Sequence, residues 1–242
     1  MSLTWKQRES LGGREPERLV SWADELNISR FLARILWHRG LSSPRDMDVF
    51  LSPGLRHLPP LEKWPELISF AELLAREISR ERTLAVWGDY DADGITATAI
   101  LVHFFKNRGI PVLAHIPERL QQGYGLNQEG LEDLKQKNVD LIITVDCGIS
   151  NIQEIERARE LGLQVFVTDH HLPGKELPGA RAMINPCLGN CPYPQAAGAV
   201  VAFLLAAALN RILPGEPVDI REYLDLAALG TIADIVELNT TN

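Results

Sequence analysis

The sequence predicts an α/β fold, a mostly parallel sheet with helices on both faces, preceded by a short helical N-terminal region. Two observations carry this. From residue 83 onward, short apolar runs ("TLAVWG", "PVLAHI", "DLIITV", "QVFVT") alternate with helical stretches, as the buried strands of a parallel sheet alternate with crossover helices. The polar clusters "GDYDADG", "VDCG" and "VTDHH" close the first, third and fourth runs. Functional groups of open α/β sheets collect at the carboxyl ends of the strands, so all three should lie along one sheet edge.

Residues 1–60 read as a helical extension and linker, and residues 61–242 as one catalytic-size domain. In the extension, "ISRFLARILWHRG" places Ile28, Leu32, Ile35 and Leu36 on one helical face and stops at Gly40. The proline-rich "LSPGLRHLPP" reads as the linker. An amphipathic helix follows, with Pro65 near its start. Within the sheet region helices are expected near 95–108, 127–137 and 150–161. Beyond it come a helical stretch at 196–213 and a short helix near 219–229. There is no internal repeat.

Length and composition suit a globular chain able to bury its own core. The longest apolar run, Ala196 to Leu209, is too short for a bilayer span, and the N-terminus lacks a signal-peptide core. Three cysteines do not suggest a secreted disulfide framework. A cytoplasmic protein without membrane contact is expected. The formal charge of −8 argues, on its face, against a nucleic-acid partner.

Asp89, Asp91 and Asp93 alternate ahead of Gly94. Three carboxylates this close repel one another unless a cation sits among them. An EF-hand loop would need glutamate at its twelfth position, where this chain has Ile100. An aspartyl-nucleophile phosphatase fits Asp91 and Asp93 locally but lacks a convincing downstream lysine and Gly-Asp-x-x-x-Asp. A plain capped turn, with Asp93 holding the first amides of the next helix, accounts for one aspartate and not three. "TDHHLPG" adds His170 and His171 at another strand end, and Asp146 lies at a third. A mixed Asp/His set suits Mn²⁺ or a similar ion better than Ca²⁺, which prefers oxygen alone. Several carboxylates for few histidines is what two adjacent metals require. Cys187 and Cys191 lack two further ligands for a structural zinc, and Cys147 is expected to be packed. No "GxxxxGK[ST]" loop supports an NTPase.

These stretches resemble the DHH phosphoesterase superfamily, whose name is the triplet Asp169, His170, His171. Within it the resemblance is to RecJ-type single-strand-specific DNA exonucleases. It rests on "GDYDADGITATAIL", "IPERLQQGYGLN", "LIITVDCGISN", "VTDHHLPG", "AMINPC" with "CPYP", and "LGTIADIVEL", together with the N-terminal "LARILWHRG" and "FLSPGLRHLPPL". The resemblance implies a phosphodiesterase using two divalent ions, Mn²⁺ or Mg²⁺, held by Asp91, Asp93, Asp146, His170 and Asp234, with Asp89 as a further candidate. Asp146 would bridge the ions. His171 would contact the scissile phosphate or assist proton transfer, Asp169 would orient a histidine, and Arg119 would contact a substrate phosphate. Two ions ~3.5–4 Å apart can activate a water and relieve charge on the leaving oxygen. Setting aside Asp89, Asp91, Asp93, Asp146, Asp169 and Asp234 brings the formal charge from −8 to −2, which softens the argument against DNA.

Two departures stand out. Trp87 occupies a position where many superfamily members carry histidine, and Val200 stands where a second glycine of a Gly-x-Gly is expected. The DHHA1-like and OB-type domains that follow in RecJ-type proteins are not found, so the chain reads as the catalytic core. The expected function is 5′-to-3′ hydrolysis of single-stranded DNA in repair and recombination, by a monomer working beside a helicase and single-strand-binding protein. The alternatives are a phosphoesterase of short oligonucleotides or cyclic dinucleotides, and a catalytically weak fragment acting as a binding module.

Overall fold

The computed structural model describes residues 17–120 and 123–238. The chain divides into two compact units, with the boundary between Leu58 and Pro59.

The first unit contains α1 (Leu19–Glu25), α2 (Arg30–His38) and α3 (Pro44–Leu51). Ser29 caps α2 by accepting from the Leu32 amide, and Ser43 caps α3 by accepting from the Asp46 amide, with Pro44 in its first turn. Leu19, Ala23, Ala33, Leu36, Trp37 and Met47 form its core. The inward face of α2 is therefore Ala33, Leu36 and Trp37, whereas Ile35 is exposed. Apolar spacing alone favoured Ile35, because it cannot register that the large Trp37 turns inward.

The second unit is built on one five-stranded sheet. In chain order its elements are α4 (Pro65–Ile78), β1 (Leu84–Gly88), α5 (Ala92–Asn107), β2 (Val112–His115), α6 (Gln128–Gln136), β3 (Leu141–Val145), α7 (Ile152–Glu160), β4 (Gln164–Thr168), β5 (Ala182–Ile184), α8 (Gly198–Ile212) and α9 (Leu224–Ala233). The strand order is β2-β1-β3-β4-β5, and every pairing is parallel. The short β5, absent from the sequence expectation, adds the outer strand beside β4. Three residues of moderate hydrophobicity give no periodic signal.

Helices cover both faces, as the apolar strands demand. On one face Ala85, Trp87, Ile142, Val165 and Val167 pack with Leu131 and Leu134 of α6 and Ile155 and Ala158 of α7. On the other, α4, α5 and α8 pack against the strands, with Phe70 of α4 edge-on to Phe166 of β4 at 5.3 Å. Trp87 is buried on the α6/α7 face, 4.0 Å from the His115 ring. The last helix runs further than its short apolar pattern suggested: a 3-10 turn at Ile220–Tyr223 leads into α9, and Asp234 is the α9 C-cap. Among the described residues no helix is long and apolar enough to cross a membrane.

Candidate metal centre

The register of the sheet builds the site. Gly88 of β1 pairs with Val145 of β3, and Thr144 pairs with Val167 of β4. Three adjacent strands thus end level, and the residue after each is an aspartate: Asp89, Asp146 and Asp169. All three are buried. Neighbouring strands lie ~4.8 Å apart, so level ends bring the acids into one cluster.

Two more carboxylates come from the start of α5. Asp91 is its N-cap, accepting from the Gly94 amide at 2.9 Å. The cap is therefore Asp91 and not Asp93, since an N-cap carboxylate reaches the amide three residues ahead. Asp93, one residue into the helix, turns instead toward α8 and accepts from the amides of Gly198 (2.6 Å) and Ala199 (2.9 Å). Asp234 enters from the end of α9, with its Oδ2 3.6 Å from His170 Nε2.

His170 is the hub. Its Nε2 lies 3.0 Å from Asp146 Oδ1 and 3.6 Å from Asp93 Oδ2. Three overlapping groups, each with ligand atoms within 4.8 Å of one another, result: Asp146, His170 and His171; Asp93, His170 and Asp234; Asp89, Asp91 and Asp146. Asp146 and His170 each belong to two. All the residues expected to hold metal thus gather in one place, Asp89 included.

Asp169 has a different position. Its Oδ1 accepts from the amides of His170 and His171 and lies 2.7 Å from His171 Nδ1, while Oδ2 accepts from the Ile149 amide. Burial acts to raise the Asp169 pKa, but the His171 hydrogen bond and these amides outweigh it and hold the carboxyl below its ordinary range. The same hydrogen bond, against opposing burial, raises the His171 pKa.

The acids among the prospective ligands behave oppositely. Burial, with the charges of Asp93 and Asp91, pushes Asp146 up to about 10. Burial also raises Asp93 and Asp89. Asp89 Oδ1, Asp146 Oδ1 and His170 Nε2 are buried without a hydrogen-bond partner. Orphaned acceptors facing one another are costly unless a cation or a proton joins them. The donor set is five carboxylates and two histidines, which suits a divalent ion of the Mn²⁺ or Mg²⁺ kind.

The backbone is arranged around this cluster. Asp146 sits at φ +60°, in the left-handed region uncommon for non-glycine residues. Gly198 approaches so closely that a Cβ there would stand 2.7 Å from Asp146 Cβ and 2.8 Å from its Oδ1. Arg119 is exposed, with its guanidinium 5.2 Å from the centre of the Tyr90 ring, between Asp89 and Asp91 in sequence. Cys147 is buried, as expected, with its Sγ 3.9 Å from the Trp87 carbonyl.

Residue-type reasoning missed Tyr124 and Asn185. The Tyr124 hydroxyl lies 3.2 Å from both the Asp146 carbonyl and His171 Nδ1. Burial, then the charge of Asp169, pushes the phenol pKa well above its ordinary value, so the hydroxyl keeps its proton. Asn185, buried beside β5, donates to the His171 carbonyl at 2.9 Å and accepts from the Cys187 amide. Neither residue type suggests such a role on its own; their only signal was membership of "GYG" and "INP". A cleft of about 150 Å³ opens beside His171, lined by Tyr124, Asp169 and residues 148–151.

Comparison with known proteins agrees with this geometry. The family model described as "DHH family, N-terminal domain" matches residues 83–231. A curated relative, the single-stranded-DNA-specific exonuclease RecJ of Bacillus subtilis, is 37% identical over 243 residues, covering 99% of this chain and 30% of its own length. A RecJ structure from Thermus thermophilus in complex with Mn²⁺ is similar at TM-score 0.68 and 39% identity, over 90% of this chain and 30% of that one. A further crystal structure, of exonuclease RecJ bound to manganese, is similar at TM-score 0.63 and 43% identity, over 71% of this chain and 43% of that chain. The chain thus spans 30% of the length of the curated RecJ relative from Bacillus subtilis. With the family model matching well over half of its residues, the chain belongs to the DHH family.

Proposed function

We propose that this chain is a two-metal phosphodiesterase that hydrolyses single-stranded DNA, removing nucleotides from the 5′ end. The observation that carries the reading is the convergence of Asp89, Asp91, Asp93, Asp146, His170 and Asp234 into overlapping ligand groups around three orphaned buried atoms. The similarity to RecJ exonucleases, two of them with manganese in their solved structures, supports the choice of substrate and ion.

Position supports the following roles. Asp91, Asp93, Asp146, His170 and Asp234 would hold two divalent ions, Mn²⁺ or Mg²⁺, with Asp89 completing the set beside Asp91 and Asp146. Such ions, when bound, lower the pKa of water and neutralise charge on phosphoryl oxygens. Asp146, shared between two ligand groups, would be a ligand available to both ions. His171, half-exposed at the cleft, faces the scissile phosphate or moves a proton there, and Asp169 holds its Nδ1. Arg119, fixed over Tyr90 at the exposed rim, contacts a neighbouring phosphate. The protein works in the cytoplasm as a monomer, on strands that a helicase exposes and single-strand-binding protein coats.

The test is Mn²⁺-dependent hydrolysis of a 5′-labelled single-stranded oligonucleotide beside a dinucleotide, with Asp146→Ala as control. Release of mononucleotide from the long strand, lost in Asp146→Ala without unfolding, is the expected result. Cleavage of the dinucleotide alone would assign the chain to short substrates. No cleavage of either by a metal-loaded chain would refute the reading.

A further inference from the structure

We propose that Tyr124 is a positioning residue for His171: its hydroxyl ties the His171 ring to the Asp146 backbone and leaves Nε2 as the ring nitrogen free for substrate. This deepens the phosphodiesterase reading above and rests on it.

Asp169 Oδ1, 2.7 Å from His171 Nδ1, can only accept when ionised, so Nδ1 carries the hydrogen. The Asp146 carbonyl, 3.2 Å from the Tyr124 hydroxyl, can also only accept, so the hydroxyl hydrogen points there. The phenol oxygen then faces the Nδ1–H from 3.2 Å as a second acceptor. The hydroxyl and the carboxylate thus hold the Nδ1 edge of the ring from two sides. The rings meet edge to face, with centroids 5.8 Å apart at 80°, which limits tilting of the imidazole.

The chain is shaped to deliver this side chain. Gly123 and Gly125 both adopt φ +75°, a conformation costly for other residues, so Tyr124 stands on a sharp bend. A Cβ on Gly125 would also press on Asn151 Oδ1 at 2.6 Å. The bend comes from the loop between β2 and α6, Asp146 from the end of β3, and His171 from beyond the end of β4. One hydroxyl therefore joins three separate segments at the point where substrate must arrive.

A merely structural tyrosine would cost stability whether or not His171 were present; a positioning one acts through His171. Tyr124→Phe keeps the ring and removes the hydroxyl. Its kcat and KM for Mn²⁺-dependent oligonucleotide hydrolysis should be measured alone and in a His171→Ala background. Nitrogen NMR of the imidazoles in the Mg²⁺-loaded protein should accompany them. We expect kcat to fall on the order of tenfold, the scale of one lost hydrogen bond, with KM unchanged. No further fall is expected once His171 is absent, and the His171 ring signals should broaden as the ring, still bonded to Asp169, loses its second anchor and gains mobility. Full kcat in Tyr124→Phe, or an equal loss with and without His171, overturns the proposal. If His171→Ala is too slow to measure, the spectra decide: broadened His171 ring signals support positioning, and unchanged line widths overturn it. If the unaltered chain cleaves nothing, the phosphodiesterase reading fails by itself, and the spectra judge the positioning of His171 by the same two outcomes.

Discussion

Asp93 accepts a 2.6 Å hydrogen bond from the amide of Gly198, so a carboxylate of the candidate metal cluster is also the N-terminal cap of a helix 105 residues away in sequence. Helix α8 has no side-chain cap of its own, because its N-cap is Ala197. Asp93 supplies the missing acceptor to two of its first amides and places negative charge at the positive end of the helix dipole.

Asp93→Ala should therefore destabilise the metal-free protein by about 1 kcal/mol, the usual cost of losing a cap. Urea unfolding in EDTA at pH 5 is the suitable measurement, since protonation there limits the relief of repulsion that removing an acid also brings. Unchanged stability would mean that the two amides find another partner.

Gly198→Ala should disturb the same point from the other side. The added methyl would stand within 3 Å of the Asp146 Cβ and Oδ1, and Asp146 already holds a left-handed backbone with little freedom to yield. A stability loss of about 1–3 kcal/mol is expected from such overpacking. The rise in melting temperature on adding Mn²⁺ should shrink with it. A full Mn²⁺ response in Gly198→Ala would show that the carboxylate can move without harm.

The metal-free protein should lose stability as pH rises. Burial raises Asp89, Asp93 and Asp146 in the folded state, Asp146 to about 10, against an ordinary carboxylate value of 3.8 when unfolded. The folded state then holds more protons, so this contribution is complete below the unfolded value and is lost as pH climbs toward the folded one. Melting temperature in EDTA should fall between about pH 5 and 9, with Asp146→Asn flattening the curve. Mn²⁺ should reverse the trend, because cations bind the deprotonated cluster. A metal-free curve that rises with pH would contradict the buried, proton-sharing arrangement.

Arg119→Ala should weaken DNA binding with little effect on kcat once substrate saturates. Arg119 is exposed, over Tyr90, and not among the carboxylates. Binding to single strands is expected to be weak and sensitive to salt. The slope of log affinity against log salt should decrease by about one in the variant, as for a lost phosphate contact. Equal slopes would remove Arg119 from the DNA path.

The sequence by itself determined the sheet class and nearly every ligand candidate, because both are local signals. Consecutive apolar residues mark a strand buried on two faces, and strand ends carry the chemistry, so the local pattern alone puts "GDYDADG", "VDCG" and "TDHH" on one edge. The tertiary structure decided what those residues do to one another. Pairing of Gly88 with Val145 and of Thr144 with Val167 brings Asp89, Asp146 and Asp169 level, and no local pattern encodes an inter-strand register. It also decided that Asp91 caps its own helix while Asp93 caps α8, and that Tyr124 and Asn185 reach the His170–His171 segment. Those contacts join residues far apart in the chain, and only the packed fold fixes their distances.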